Sequence, residues 1–188
     1  MIIEKAISII SIVIWLFPLI RQYKTEYFYF FLVLAIADPL MFAIVLIWKI
    51  TAQITAPFFL LILSGSLRPK KLLWLPFALI FLLIFVWFIK ESNNALLLTA
   101  TVGHLSVFMM IISRLIDQLS SRQLLSGFLV LLSTYELINV LKVLIVITDL
   151  MNGITQFYIA SFFQILFGIV FCFISIKSSR FDIKLVRD

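Results

Sequence analysis

Charged residues cut the chain into long apolar runs: 5–20, 27–48, 50–67, 72–89, 95–113, 124–147 and 155–176. Crossing the hydrocarbon core of a bilayer takes about 20 mostly apolar residues in a helix, with about 17–25 tolerated. Each run falls in or near that window. The third is diluted by Thr51, Gln53, Thr55 and Pro57, yet from Tyr27 to Leu67 only Asp38 and Lys49 carry charge. Those 41 residues would make about 60 Å of continuous helix, twice the hydrocarbon thickness. The chain therefore turns near Lys49. The pattern predicts an all-α integral membrane protein: a bundle of seven transmembrane helices forming one domain over residues 1–188.

Composition removes the other classes. Of the 188 residues, 64% are hydrophobic and 13% charged, and the mean hydropathy is +1.21. Soluble domains run at about 45–50% apolar and about 25% charged. A water-soluble domain, a disordered chain, a disulfide scaffold and a nucleic-acid binder are excluded. Cys172 is the single cysteine, so there is no intrachain disulfide; within FGIVFCFISI it reads as a small hydrophobe. Lys5 ahead of an apolar run mimics a signal peptide. The run ends in Pro18, Leu19, Ile20 and Arg21 without a small-x-small site, so it reads as an uncleaved first span.

The net charge of +6 is a topology signal. With the N-terminus outside, the inner side collects eleven basic residues: Arg21 and Lys24; Arg68, Lys70 and Lys71; Arg114 and Arg122; and Lys177, Arg180, Lys184 and Arg187. The outer side holds three, Lys5, Lys49 and Lys90. A six-span arrangement lacking the third helix, with the N-terminus inside, gives the same ratio. Charge thus places the C-terminus in the cytoplasm either way, and the length argument places the N-terminus outside. The expected location is a bacterial inner membrane. No loop exceeds about a dozen residues, which leaves chemistry or recognition to the membrane interior or to a partner. The tail KSSRFDIKLVRD alternates basic and apolar residues and reads as an anchor on anionic lipid, with a docking peptide as the alternative.

Ionisable groups within spans cost about 2.5–3.5 kcal/mol each on insertion scales and are functional candidates by default. Asp38, His104, Glu136 and the amide of Gln164 all sit near mid-span. At 100° per residue, Tyr135, Glu136, Asn139 and Lys142 form one polar stripe on the sixth span. His104 shares a face with Ala100 and Thr101, and Gln164 with Ser161 and Gly168, so the fifth, sixth and seventh spans are expected to pack with these faces inward. Pro39 directly follows Asp38 and predicts a kink or hinge. Lys142 lies about 7 Å below the outer helix end and is expected to reach the headgroups or Asp149, leaving Glu136 to bond another helix. The bland alternatives are packing for His104 and interhelical glue for Asp38 and Glu136.

The candidate ligand-binding residues are therefore Asp38, His104, Tyr135, Glu136, Asn139 and Gln164. No catalytic set, metal site or cofactor is indicated. The seventh span has no lysine for a retinal Schiff base, a lone histidine cannot build the site of the seven-helix zinc hydrolases, and no PQ motif or proline after Pro76 supports a sugar-efflux repeat. In architecture, though not in any motif, the arrangement resembles the domain-less seven-helix sensor modules of bacterial signalling systems. The reading is a non-enzymatic membrane sensor or accessory protein. Its midplane pocket takes a small apolar or amphiphilic ligand, and Arg68–Lys71 and Arg114–Arg122 face a cytoplasmic signalling partner. The alternatives are a lipid-directed intramembrane enzyme using Asp38, Glu136 and His104, and a proton-linked permease. The low glycine count, five, weighs against transport.

The topology is open to direct test. In a Cys172→Ala background, Ile2→Cys should react with an impermeant thiol reagent only from outside, and Val186→Cys only from the cytoplasm. Reaction of both from the cytoplasmic side alone would remove the third span.

Overall fold

In so apolar a chain the backbone N–H and C=O groups have to be satisfied internally, and helices do this within each segment. The computed structural model describes residues 2–48, 52–67, 93–148, 153–177 and 181–184. Among them are the helices α1 (Ile2–Arg21), α2 (Phe28–Trp48), α3 (Ala52–Ser66), α4 (Asn93–Arg122), α5 (Gly127–Thr148) and α6 (Gly153–Phe173), and two short strands, β1 (Leu124–Ser126) and β2 (Asp182–Lys184). The expected fourth span, 72–89, lies outside the described residues. The 41-residue stretch is broken as its length requires, with α2 ending at Trp48 and α3 beginning at Ala52.

The six helices close a ring. α1 packs on α2, α2 on α3, α3 on α4, α4 on α5, α5 on α6, and α6 back on α1. Two of them, α4 from Leu97 to Arg122 and α5 from Gly127 to Thr148, are long and apolar enough to cross a membrane. Large apolar side chains cover the outside as well as the core: Phe17 and Ile20 on α1, Ile47 on α2, Leu141 on α5, and Phe162 and Phe173 on α6 are all exposed.

Towards the end of the ring that carries Arg21 and Arg122, aromatic rings fill the interior. Phe31, Phe128 and Phe171 are buried within 5.2–6.3 Å of one another, centroid to centroid. Trp15 caps them, 6.3 Å from both Phe31 and Phe171 and 5.0 Å from Tyr135. Such pairs add about 0.5–1.5 kcal/mol each beyond the area they bury. The α1–α6 contact is close because residue 168 is glycine: a Cβ there would stand 2.7 Å from Ile14 Cγ2. Polar ties lock the same end. The buried Gln22 donates its amide to the Ile174 carbonyl at 3.0 Å. Arg114 on α4 donates to Glu26 at 3.2 Å and to the Leu67 carbonyl, with its guanidinium 5.2 Å from the Tyr27 ring centre.

Two boundaries differ from the sequence expectation. The fifth span, read as ending at 113, continues as helix to Arg122 and stops at Gln123, whose φ of 49° is left-handed. Charges mark where lipid ends, not where helix ends, and Leu115–Leu119 has no helix breaker. The sixth span, read as starting at 124, begins at Gly127. Leu124, Leu125 and Ser126 instead pair antiparallel with Lys184, Ile183 and Asp182. The tail read as a lone anchor therefore contributes a strand to a two-stranded ribbon, a long-range pairing that no local pattern encodes.

Gly127 makes the ribbon possible, because a Cβ there would collide with the Phe181 carbonyl oxygen and lie 2.8 Å from Phe181 Cβ. Gly127→Ala should release β2 while leaving α5 intact. Hydrogen exchange of 124–126 and 182–184 should speed up with α5 protection unchanged; unchanged exchange in the ribbon would show that the contact does not hold it.

A candidate ligand cavity inside the helix ring

On α5, Tyr135, Glu136, Asn139 and Lys142 share one face, spaced by one, three and three residues around a 3.6-residue turn. α5 lies between α4 and α6, so the stripe points at both neighbours. Towards α4, Glu136 is fully buried and its Oε2 lies 2.9 Å from His104 Nδ1, while the His104 side chain is 20% exposed. With its proton on Nδ1, the imidazole donates to Glu136 Oε2 and keeps Nε2 as its second position. Glu136 Oε1 has no hydrogen-bond partner among the described residues. Towards α6, the amide of Gln164 is used at both ends. Its Nε2 donates to Asn139 Oδ1, and its Oε1 accepts from Lys142 Nζ at 2.8 Å. That double engagement fixes which way the amide points.

These groups border a partly open cavity of about 360 Å³ to which all six described helices contribute. Its polar lining is Ser11, Asp38, His104, Tyr135, Asn139, Lys142 and Gln164. Trp15, Val33, Met41, Phe59, Leu60 and Val143 supply apolar wall. The volume lies near the lower end of the roughly 300–1,000 Å³ of small-molecule sites. At about 30 Å³ per water it has room for about a dozen. Asp38 is exposed where it borders the cavity, one residue before Pro39 inside α2. Asp38 and Lys142 line the same cavity.

Of the six sequence candidates, Asp38, His104, Tyr135, Asn139 and Gln164 border this one cavity. Glu136 stands behind His104 as its hydrogen-bond partner. Lys142 departs from expectation. Read as extending to the outer headgroups or to Asp149, which lies outside the described residues, it turns its ammonium inward to Gln164 and the cavity. An acceptor on the next helix, and the Asp38 charge, offer an alternative to the headgroups. Its place on the stripe was the signal. Trp15 and Ser11 on α1 were not anticipated; a tryptophan in mid-span, away from the interfacial belt where the residue gathers, marks the first. Among the described residues no group of three or more His, Cys, Asp or Glu is arranged to hold a metal ion.

Compared with known proteins, the chain matches no family model, no curated protein and no solved structure.

The Glu136–His104 contact makes a quantitative prediction. Glu136→Leu leaves the Nδ1 side of His104 unpartnered and should lower stability by about 1–3 kcal/mol, with Glu136→Gln milder. The double variant Glu136→Leu/His104→Leu should recover most of the loss, since replacing both members of a buried pair is often near neutral. A double-mutant cycle in thermal melts with no coupling between the two positions would contradict the contact.

Proposed function

We propose that the chain is a non-enzymatic, seven-span sensor or accessory protein of a bacterial inner membrane, with its N-terminus outside and its C-terminus in the cytoplasm. It holds a small apolar or amphiphilic molecule in the cavity among α1–α6 and reports occupancy to a cytoplasmic partner. One observation carries this reading: the six described helices each give up packing to one cavity of about 360 Å³, and polar groups of an otherwise apolar chain gather on its wall. The exposed apolar side chains around the ring support a multi-pass arrangement, since water would not tolerate them over so much of the surface.

The route to the partner has support in α4. The helix runs unbroken from His104, at the cavity, to Arg122, about 27 Å away, and ends against β1. A ligand shifts such a bundle only through its differential affinity for two arrangements, and Pro39 is the hinge candidate, beside a cavity-lining carboxylate. The Glu136–His104 pair favours a second reading, in which the oriented imidazole moves protons for an intramembrane enzyme or a proton-linked permease.

Native mass spectrometry of the detergent-purified protein tests the main reading. Wild type should carry a reproducible small-molecule adduct, and Ala37→Trp, which fills the cavity, should lack it. Identical spectra for the two would remove the ligand-binding function.

A further inference from the structure

The cavity and the groups behind it hold two carboxyl groups, Asp38 and Glu136, against one amine, Lys142. With both carboxyls and Lys142 ionised and His104 neutral, the set is one positive charge short of balance, and an unbalanced charge among apolar walls is expensive. Glu136 has its oxygen Oε2 on His104, and Lys142 donates a hydrogen bond to Gln164 Oε1. Asp38 is the carboxylate that remains exposed to the cavity itself. Beside it the wall is aromatic. Trp15 and Tyr135 line the same space with ring centres 5.0 Å apart at 51°, and Phe59 adds a third ring.

Carboxylate and ring faces attract the same kind of group. An ammonium is drawn to the negative face of an aromatic ring and hydrogen-bonds a carboxylate, most strongly where water is scarce. An anionic head would instead meet two carboxyl groups and one engaged lysine. It would take the set from one negative charge in excess to two, where a cationic head takes it to neutrality.

We propose that the ligand of this cavity is a cationic amphiphile: a primary or secondary amine on an apolar body, its ammonium held by Asp38 beside the wall that the Trp15 and Tyr135 rings form together. This rests on the cavity being a ligand site. The amine head lies against Asp38, and the apolar body lies along Val33, Met41 and Leu60.

Three probes with one apolar body and different heads separate the possibilities: 4-phenylbutylamine, 4-phenylbutanol and 4-phenylbutyrate. Each is titrated calorimetrically into the detergent-purified full chain, as wild type, Asp38→Asn and Trp15→Leu. The amine should bind wild type about tenfold more tightly than the alcohol. Asp38→Asn should abolish that preference while leaving alcohol binding unchanged, and Trp15→Leu should reduce it. Equal binding of all three probes would overturn the amine assignment and leave the cavity a ligand site blind to the head. Tightest binding of the carboxylate would also overturn it, assigning head recognition to Lys142. No binding of any probe overturns the amine assignment; the ligand-site reading falls with it only if wild type and Ala37→Trp also give identical native mass spectra.

Discussion

Glu136 has no access to water, and a carboxyl group so placed has to find a donor on another helix or forfeit several kcal/mol. His104 supplies that donor, and the pairing sets the rotation of α4 against α5. Because Asn139 and Lys142 stand on the same face of α5 as Glu136, the rotation that satisfies the carboxylate also turns them towards α6, where Gln164 takes one bond from each side of its amide. Faces built of Leu, Ile, Val and Phe can pack in several rotations at similar energy. Few rotations bring a histidine to a glutamate and a glutamine between an asparagine and a lysine. Polar contacts of this kind are modest in strength in membrane helices. Their value here is selectivity among otherwise similar apolar packings.

With that rotation set, the bundle divides along its length. Towards Arg21 and Arg122, rings from α1, α2, α5 and α6 fill the interior, and Gln22 and Arg114 join loop and helix ends across it. The Arg114–Glu26 pair is surface-exposed on the Glu26 side and contributes little by itself; the carbonyl of Leu67 and the Tyr27 ring make Arg114 a cross-link rather than an isolated bridge. Beyond Trp15 the ring is hollow. α4 spans both halves, which places one rigid element at the cavity and at the ribbon.

How much of this was legible in the chain depends on which physical quantity is asked for. Depth was legible, because a fixed rise per residue converts position into height, and Asp38, His104, Glu136 and Gln164 could be placed at similar levels without a structure. Faces were legible too: the α5 stripe follows from angle alone. Which helices are neighbours was not, since nothing in an apolar sequence says that α1 closes the ring on α6; the small residue that lets them approach, Gly168, is one glycine among five. Lys142 was misread because depth was weighed without neighbours. A lysine this close to a helix end snorkels when only lipid surrounds it, but Gln164 and Asp38 change the comparison. The ribbon escaped because strand pairing between residues about 60 apart leaves no local periodicity.

The hollow itself is the feature that packing alone cannot explain. Unfilled volume in a core costs stability, and here about 360 Å³ is left partly open among the six described helices. Its wall carries polar groups that can hydrogen-bond what fills it. Larger side chains at Ala37 or Ala100 would close the space with ordinary helix-forming residues, and neither is present. Charged groups placed at depth and volume left open beside them each lower stability when taken separately. Under the proposed reading, a ligand that brings its own apolar surface and a complementary head removes both penalties at once.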